Sequence, residues 1–361
     1  MDEIENIQQI CSLAVSGFSE WKKYGDVSVR ENADLLIFNY TEKAQFEGRW
    51  NYFERVSRGL IINRLTGEIV ARPFDKFHNW LEGNRKSEGR ILSITEKLDG
   101  SLGVLYRING DCKISTRGSF DGEQAQWATQ FLKRYNLEGL PAEYTLLFEI
   151  VYPENRVVVD YGNRQDLVLL AIRNRFSGEY LPFSTVKEIA LQYGFSLPTV
   201  YEFSSVDDVI NFLPALDGNQ EGYVVEFSDG QRFKFKGDKY KELHRLICGL
   251  SFKNTLAAVA SGTVENIRSQ IPDEFLGQFN SWVNEIVAKV AEVKVITAQA
   301  FEVAPKENRK DFALWVTANH KDISSYLFSL LDGRDIEQMI YKKAFESRNN
   351  DKAVNHDENT A

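Results

Sequence analysis

"TEKLDGSLGVLY" (residues 95–106) is the stretch whose reading decides the fold. Lys97, Asp99, Gly100 and Ser101 stand between two runs with strand character, "RILSITEK" (90–97) and "SLGVLYRI" (101–108). The pattern predicts a tight connection between two strands, with the lysine at a strand end. Two uses compete for it: an ordinary solvated turn, or a nucleophile held on a rigid elbow.

Working outward, β-type runs dominate the first 245 residues. "DLLIFNY" (34–40) predicts a strand, and "SRGLIINRLTGEIVARPF" (57–74) a hairpin turning at Thr66-Gly67. "CKISTRG" (112–118) follows the Asn109-Gly110 turn, a strong hairpin signal. "YTLLFEIVY" (144–152), "NRVVVDY" (155–161), "DLVLLAIRN" (166–174), "EGYVVEF" (221–227) and "RFKFK" (232–236) continue the series. Apolar residues at helical spacing predict helices over 121–135 and 184–194, the second ending at Gly194. From about residue 246 the period changes. Phe275, Phe279, Trp282, Ile286, Val290 and Val293 recur at three- and four-residue steps, predicting one long amphipathic helix over 273–301. Helical patterns persist over 309–319 and 322–345, with a break near Asp332-Gly333. The reading is an α+β domain (1–245) with antiparallel sheets, an all-helical domain (246–346) and a polar, disordered tail (347–361).

Composition narrows the function classes. The 361 residues suffice for two domains, and 43% apolar with 26% charged content is that of a globular protein. No apolar run approaches the roughly 18 residues of a membrane helix, and "MDEIENIQQI" lacks the features of a signal peptide. A cytoplasmic protein without membrane attachment is the expectation. Cys11, Cys112 and Cys248 are widely spaced and predict neither a disulfide framework nor a zinc site. The net charge of −9 argues against a non-specific nucleic-acid coat, yet binding responds to the local field. Residues 232–245, "RFKFKGDKYKELHR", are locally basic, and as a strand their Lys234 and Lys236 share one side while Phe233 and Phe235 share the other.

A lysine amine attacks phosphorus only when neutral, and its ordinary pKa is about 10.4. Neighbouring cations and partial burial lower that value; a depression of about 3 units corresponds to roughly 4 kcal/mol. The expected environment of Lys97 is therefore one of cations, Lys234 and Lys236 and a divalent metal among them. Glu149 lies within the apolar run "LLFEIV", where an unpaired carboxylate is costly to bury, and Glu221 opens another apolar run. Taken singly, each acid fits a strand-end salt bridge. Together with the Lys-x-Lys strand they supply what phosphoryl chemistry uses: carboxylates for metal and sugar hydroxyls, cations for phosphate oxygens.

The order of these motifs resembles the covalent nucleotidyltransferase superfamily. "KLDGS", "LLFEIVYPENRVVV", "LVLLAIRN", "EGYVVEF" and "RFKFKGDKY" look like its motifs I, III, IIIa, IV and V. The match is closer to the phage-type RNA ligase 1 family of ATP-dependent RNA ligases, to which "SRGLIIN", "ARPFDKFHNW", "TRGS", "PENRVV" and "SGEY" are also similar. The resemblance covers about residues 50–245, and the helical domain loosely. It implies a nucleotidyltransferase fold and a Lys97 that attacks the α-phosphate of ATP, forming lysyl-AMP. AMP then passes to an RNA 5′-phosphate, and a 3′-hydroxyl displaces it. By the same resemblance Glu149 binds the ribose hydroxyls, with metal contact as a further role. Glu221 holds Mg2+ or Mn2+ through water, and Lys234 and Lys236 contact the α-phosphate. Arg58, Lys76 and Arg117 face the outer phosphates or the RNA phosphate, and Asp99 and Gly100 belong to the nucleotide-binding turn. The implied partners are RNA ends, cleaved tRNA among them, and a monomer is favoured. His78 stands where the family usually has an aromatic, and Arg117 where a lysine is common. The alternatives are a DNA ligase or capping enzyme, whose C-terminal OB-fold would read as five short strands, and an RNA-binding relative without activity.

Overall fold

The computed structural model describes residues 3–48, 50–247, 249–268, 271, 273–343 and 345. The chain divides into two compact units, Met1–Ile247 and Cys248–Ala361. The expected tail over 347–361 lies outside the described residues.

Twelve strands of the first unit form three four-stranded sheets. The first contains β1 (Val27–Asn32), β2 (Leu35–Tyr40), β3 (Arg58–Asn63) and β4 (Ile69–Ala71), antiparallel in chain order. The others draw on β5 (His78–Asn79), β6 (Ile91–Glu96), β7 (Ser101–Ile108), β8 (Asp111–Ser115), β9 (Tyr144–Val151), β10 (Asp166–Asn174), β11 (Gly222–Phe227) and β12 (Arg232–Lys236). The second sheet runs β10-β9-β7-β8 and the third β5-β12-β11-β6. All ladders are antiparallel except the two-residue pairing of β5 with β12.

Strand alternation assigns each face. In β2, Leu36 and Phe38 pack with Ile7, Ile10 and Phe53 of two helices (Ile7–Gly17 and Tyr52–Val56), whereas Leu35 and Ile37 turn to Val104, Tyr106 and Leu147 of the second sheet. The far face of the second sheet is covered by the helices Glu123–Leu132 and Phe183–Tyr193, through Ala128, Phe131, Val186 and Ala190. Gly194 caps the latter helix in the left-handed region, as its sequence predicts. In the third sheet, Ile94, Tyr223, Val225, Phe233 and Phe235 bury one face with Val209 of the helix Val206–Phe212. The opposite face carries Ser93, Thr95, Val224, Glu226, Arg232 and Lys234, all of which line a cavity.

One predicted strand is absent. Residues 155–161 form no ladder; a short helical turn, Pro153–Asn155, leads into an irregular loop. The backbone N–H groups of Val158 and Val159 both donate to the Asp99 carboxylate, at 2.8 Å each, which takes them out of any sheet. The β-branched run reads as a strand because Val158 and Val159 are buried, but under the turn that follows Lys97.

The second unit is built from helices, and among its described residues there is no strand. Its longest helix, Asp273–Val303, buries Phe279, Ile286, Val290 and Val293 with Tyr326 and Ile340 of two later helices, Ser324–Leu331 and Glu337–Lys343. The five short strands of an OB-fold have no counterpart here. No helix among the described residues is long and apolar enough to cross a membrane.

Candidate active site

A cavity of about 210 Å3 opens within the first unit, between the third sheet and strands β7, β9 and β10. Lys97 lies at one end of it, immediately after β6. Its backbone continues the sheet, the Lys97 N–H donating to Gly222 O at 2.8 Å. The nucleophile candidate is therefore fixed to a ladder on one side and to the turn 98–100 on the other. Gly100 is set by close approach. A Cβ there would lie 2.5 Å from the Ile150 carbonyl oxygen and 3.2 Å from Glu149 Cγ, so only glycine lets the turn rest on β9.

Asp99 braces this turn from below. Its Oδ2 accepts from Val158 and Val159, its Oδ1 accepts from Tyr240 Oη at 2.8 Å, and its own N–H donates to Tyr161 Oη at 2.8 Å. Asp99 thus ties that turn to the loop 156–162 and to the helix Asp238–Ile247, while Ser101 donates to Asn155 Oδ1 at 2.9 Å. The buried Asp99 carboxylate faces away from the cavity, so its expected nucleotide contact has no counterpart in this geometry.

The charge around Lys97 differs from the expected all-cationic environment. Lys97 Nζ lies 2.7 Å from Glu221 Oε2, and Lys236 Nζ lies 3.1 Å from Oε1 of the same carboxylate. Glu221 is 4% exposed. Burial alone would raise its pKa, but the two ammonium groups outweigh burial and hold it below the ordinary carboxylate range. Both oxygens rest on lysines, and the carboxylate orients the Lys97 amine.

Glu149 has the opposite balance. It lines the cavity on β9, and burial pushes its pKa up to about 8, with Lys97 opposing and Glu221 and Asp99 reinforcing the rise. The raised pKa favours the protonated carboxyl, a form that can donate to a sugar hydroxyl. No group of three or more His, Cys, Asp or Glu side chains placed to hold a metal exists among the described residues.

Arg58 and Lys234 also line the cavity and flank one ring: the Arg58 guanidinium lies 5.7 Å and the Lys234 ammonium 5.2 Å from the Phe77 centroid. Arg58 Nη1 is buried with no hydrogen-bond partner, a donor that an anion would satisfy. Lys76 and Arg117 meet elsewhere, sharing Tyr40. Lys76 Nζ is 5.5 Å from the Tyr40 centroid and 5.0 Å from that of Trp50, and Arg117 Nη1 donates to Tyr40 Oη at 2.8 Å. Neither lines the cavity, and nor does Lys236. His78 packs edge-on to Trp50 and pairs with Glu82 at 2.9 Å, taking up the aromatic's packing.

The cavity thus gathers Lys97, Gly100, Glu149, Arg58 and Lys234, with Glu221 and Lys236 behind the nucleophile, from segments scattered over 58–236. A sequence model of the RNA ligase family matches residues 56–242, a span holding all of these residues. The chain belongs to the RNA ligase family. The resemblance to the phage RNA ligase 1 type drawn from the motifs is borne out. The chain is 24% identical to the RNA ligase of Rhodothermus phage RM378 across 87% of this chain and 88% of that one. It is 28% identical to RNA ligase 1 of bacteriophage TS2126 over 50% of each. A protein of Autographa californica nuclear polyhedrosis virus, whose name pairs polynucleotide kinase with RNA ligase, is 30% identical over 58% of this chain and 35% of its own length. The chain spans about a third to a half of the length of that relative and of one from Thermovibrio ammonificans. Among solved structures, an archaeal ATP-dependent RNA ligase aligns over 92% of this chain and 100% of its own, at 12% identity and a TM-score of 0.47.

Within the RNA ligase family reading, sequence reasoning missed Ser93, Thr95, Val224, Glu226 and Arg232 as cavity residues. Period-2 alternation in "RILSITEK", "EGYVVEF" and "RFKFK" puts each on a definite face; which faces meet depends on sheet packing that no single run records.

Proposed function

We propose that the chain is an ATP-dependent RNA ligase that joins a 5′-phosphate and a 3′-hydroxyl, with Met1–Ile247 as its nucleotidyltransferase domain. The observation that carries the proposal is the Lys97 amine at the cavity end, clamped by the β6–β11 ladder and 2.7 Å from a buried carboxylate.

In the first step Lys97, having lost its proton to solvent and held in place by Glu221, attacks the α-phosphorus of ATP as the neutral amine. The N–P bond forms as the bond to the β-phosphate oxygen breaks, and pyrophosphate leaves. Arg58 and Lys234, which line the same cavity, are assigned to the phosphate oxygens, where their charge would offset what develops on phosphorus. Glu149, in its protonated form, donates to a ribose hydroxyl. In the second step an oxygen of the RNA 5′-phosphate displaces Lys97 from the adenylate. In the third, a 3′-hydroxyl attacks that 5′-phosphate and AMP departs. Mg2+ or Mn2+ bound with the triphosphate would supply charge neutralisation on the leaving pyrophosphate. Lys76 and Arg117, gathered on Tyr40, are assigned to the outer phosphates or the RNA phosphate. Lys236 acts through Glu221. RNA ends, a cleaved tRNA among them, are the proposed partners of a monomeric, cytoplasmic enzyme in RNA repair.

The test is joining of a 5′-phosphorylated, 3′-hydroxyl RNA with ATP and Mg2+, beside a DNA of the same sequence. Faster RNA joining that requires Lys97 supports the proposal. Equal or faster DNA joining overturns its substrate class, and an unlabelled protein overturns the chemistry.

A further inference from the structure

Residues 72–77 join β4 to β5 with no ladder or helix of their own. Yet Phe74 and Phe77 of this segment line the cavity, and the Phe77 ring lies against Arg58 and Lys234. Lys76 stands between the two phenylalanines in the chain, on the Tyr40 and Trp50 rings. An irregular segment has no ladder to fix it, so its polar groups must find partners on neighbouring elements.

The anchor comes from β10. Arg173, 3% exposed, donates through Nη1 to Pro73 O at 2.5 Å and to Asp75 Oδ1 at 2.7 Å, and through Nη2 to Asp75 Oδ2 at 3.2 Å. Its Nε donates to Gly178 O at 2.7 Å. Its guanidinium lies 4.6 Å from the centroid of Tyr180, a ring that stacks on Phe74 at 5.7 Å. A two-bond fork fixes direction as well as distance, which a lysine in the same place could not do. Arg173, Asp75 and Tyr180 do not themselves line the cavity.

We propose that Arg173 is a positioning residue for nucleotidyl transfer: through its fork on Asp75 it sets where Lys76 and the Phe77 ring, with Arg58 and Lys234 beside it, meet the triphosphate. This rests on the reading of the cavity as an ATP site and adds what holds its cations in place.

The fold separates this role from plain support of the sheet. β10 pairs with β9 through backbone bonds over Asp166–Asn174, a ladder that stands whether or not the fork is made. The segment 73–77 has no such reserve. Losing the fork therefore loosens the cation-bearing loop before the sheet.

The experiment measures the rate of covalent labelling of Lys97 against ATP concentration, and the reverse release of AMP from labelled protein against pyrophosphate concentration. In Arg173→Lys, which keeps the charge and breaks the fork, both half-saturating concentrations should rise about tenfold. A purely structural role would lower the fraction of protein labelled and leave both half-saturating concentrations unchanged. Asp75→Asn leaves Arg173 its bonds to Pro73 and Gly178 and alters a side chain that is 42% exposed. It should move both concentrations the same way, and it carries the test if Arg173→Lys does not fold. The double variant should be no worse than the stronger single one, because both changes break one fork. Arg175→Lys, whose arginine pairs with Glu68 outside the cavity, should leave both concentrations unchanged. Unchanged values in a folded Arg173 or Asp75 variant overturn the assignment while the ATP reading stands. A wild-type protein that takes no label overturns both.

Discussion

Replacing Glu221 by glutamine removes a buried carboxylate from between two ammonium groups. Its oxygens lie 2.7 Å from Lys97 Nζ and 3.1 Å from Lys236 Nζ, and Glu221 is 4% exposed. Removing one partner of a buried ion pair costs about 3–5 kcal/mol, because the remaining charge stays desolvated. Here two cations lose their counter-charge, but the Lys97 side chain retains 19% exposure against 9% for Lys236, and can turn toward cavity water. The expected cost is therefore about 3 kcal/mol at neutral pH, a large share of the stability of an ordinary domain. Hydrogen exchange on peptides from β6, β11 and β12, followed through a urea series, reads the first unit alone. The pH dependence has a definite sign. The folded-state pKa of Glu221 lies below its ordinary value of 4.5, so its contribution is present above that value and lost as the pH falls through the lower, folded one. The gap between wild type and Glu221→Gln should narrow as the pH falls below 4.5. A cost under about 1 kcal/mol, or a gap that persists in acid, would refute the picture of a buried carboxylate bridging two lysines.

Asp99→Asn keeps the shape but replaces an acceptor of three hydrogen bonds by a group that is half donor; urea unfolding of the first unit should show a loss of about 2–4 kcal/mol. Gly100→Ala puts a Cβ 2.5 Å from the Ile150 carbonyl oxygen, so the turn must shift; the same unfolding assay should lose about 1–3 kcal/mol, and labelling of Lys97 should drop with it. Glu149 has a folded pKa of about 8, raised from 4.5, so its neutral form stabilises the fold below about pH 4.5 and that contribution is lost as the pH rises through 8. Glu149→Gln does not titrate, and its stability relative to wild type should climb between pH 5 and pH 8, by on the order of a few kcal/mol.

Much of the strand order was legible because alternation and turn chemistry agree locally. "SLGVLYRI" and "RFKFK" coincide with β7 and β12, and Asn109-Gly110 makes its hairpin. What sequence missed shares one cause: a partner distant in the chain decides the local outcome. Residues 155–161 have strand propensity, but the Asp99 carboxylate, some 60 positions earlier, captures the N–H groups a ladder would need. The pair His78–Asn79 is too short to show a period and becomes a strand only beside β12. Lys97 was expected among cations, and Glu221 and Lys236 were indeed named, but that one carboxylate bridges both lysines depends on the β11–β12 register.

The central claim is that the Lys97 amine becomes bonded to phosphorus. Incubation with ATP and Mg2+, quenching in parallel under alkaline conditions that spare a phosphoramidate and acidic conditions that break it, and peptide mass spectrometry of the alkaline sample would test it. The account predicts an added AMP on the peptide containing Lys97 and none in Lys97→Ala. AMP on another residue, or none on a folded protein, would contradict it.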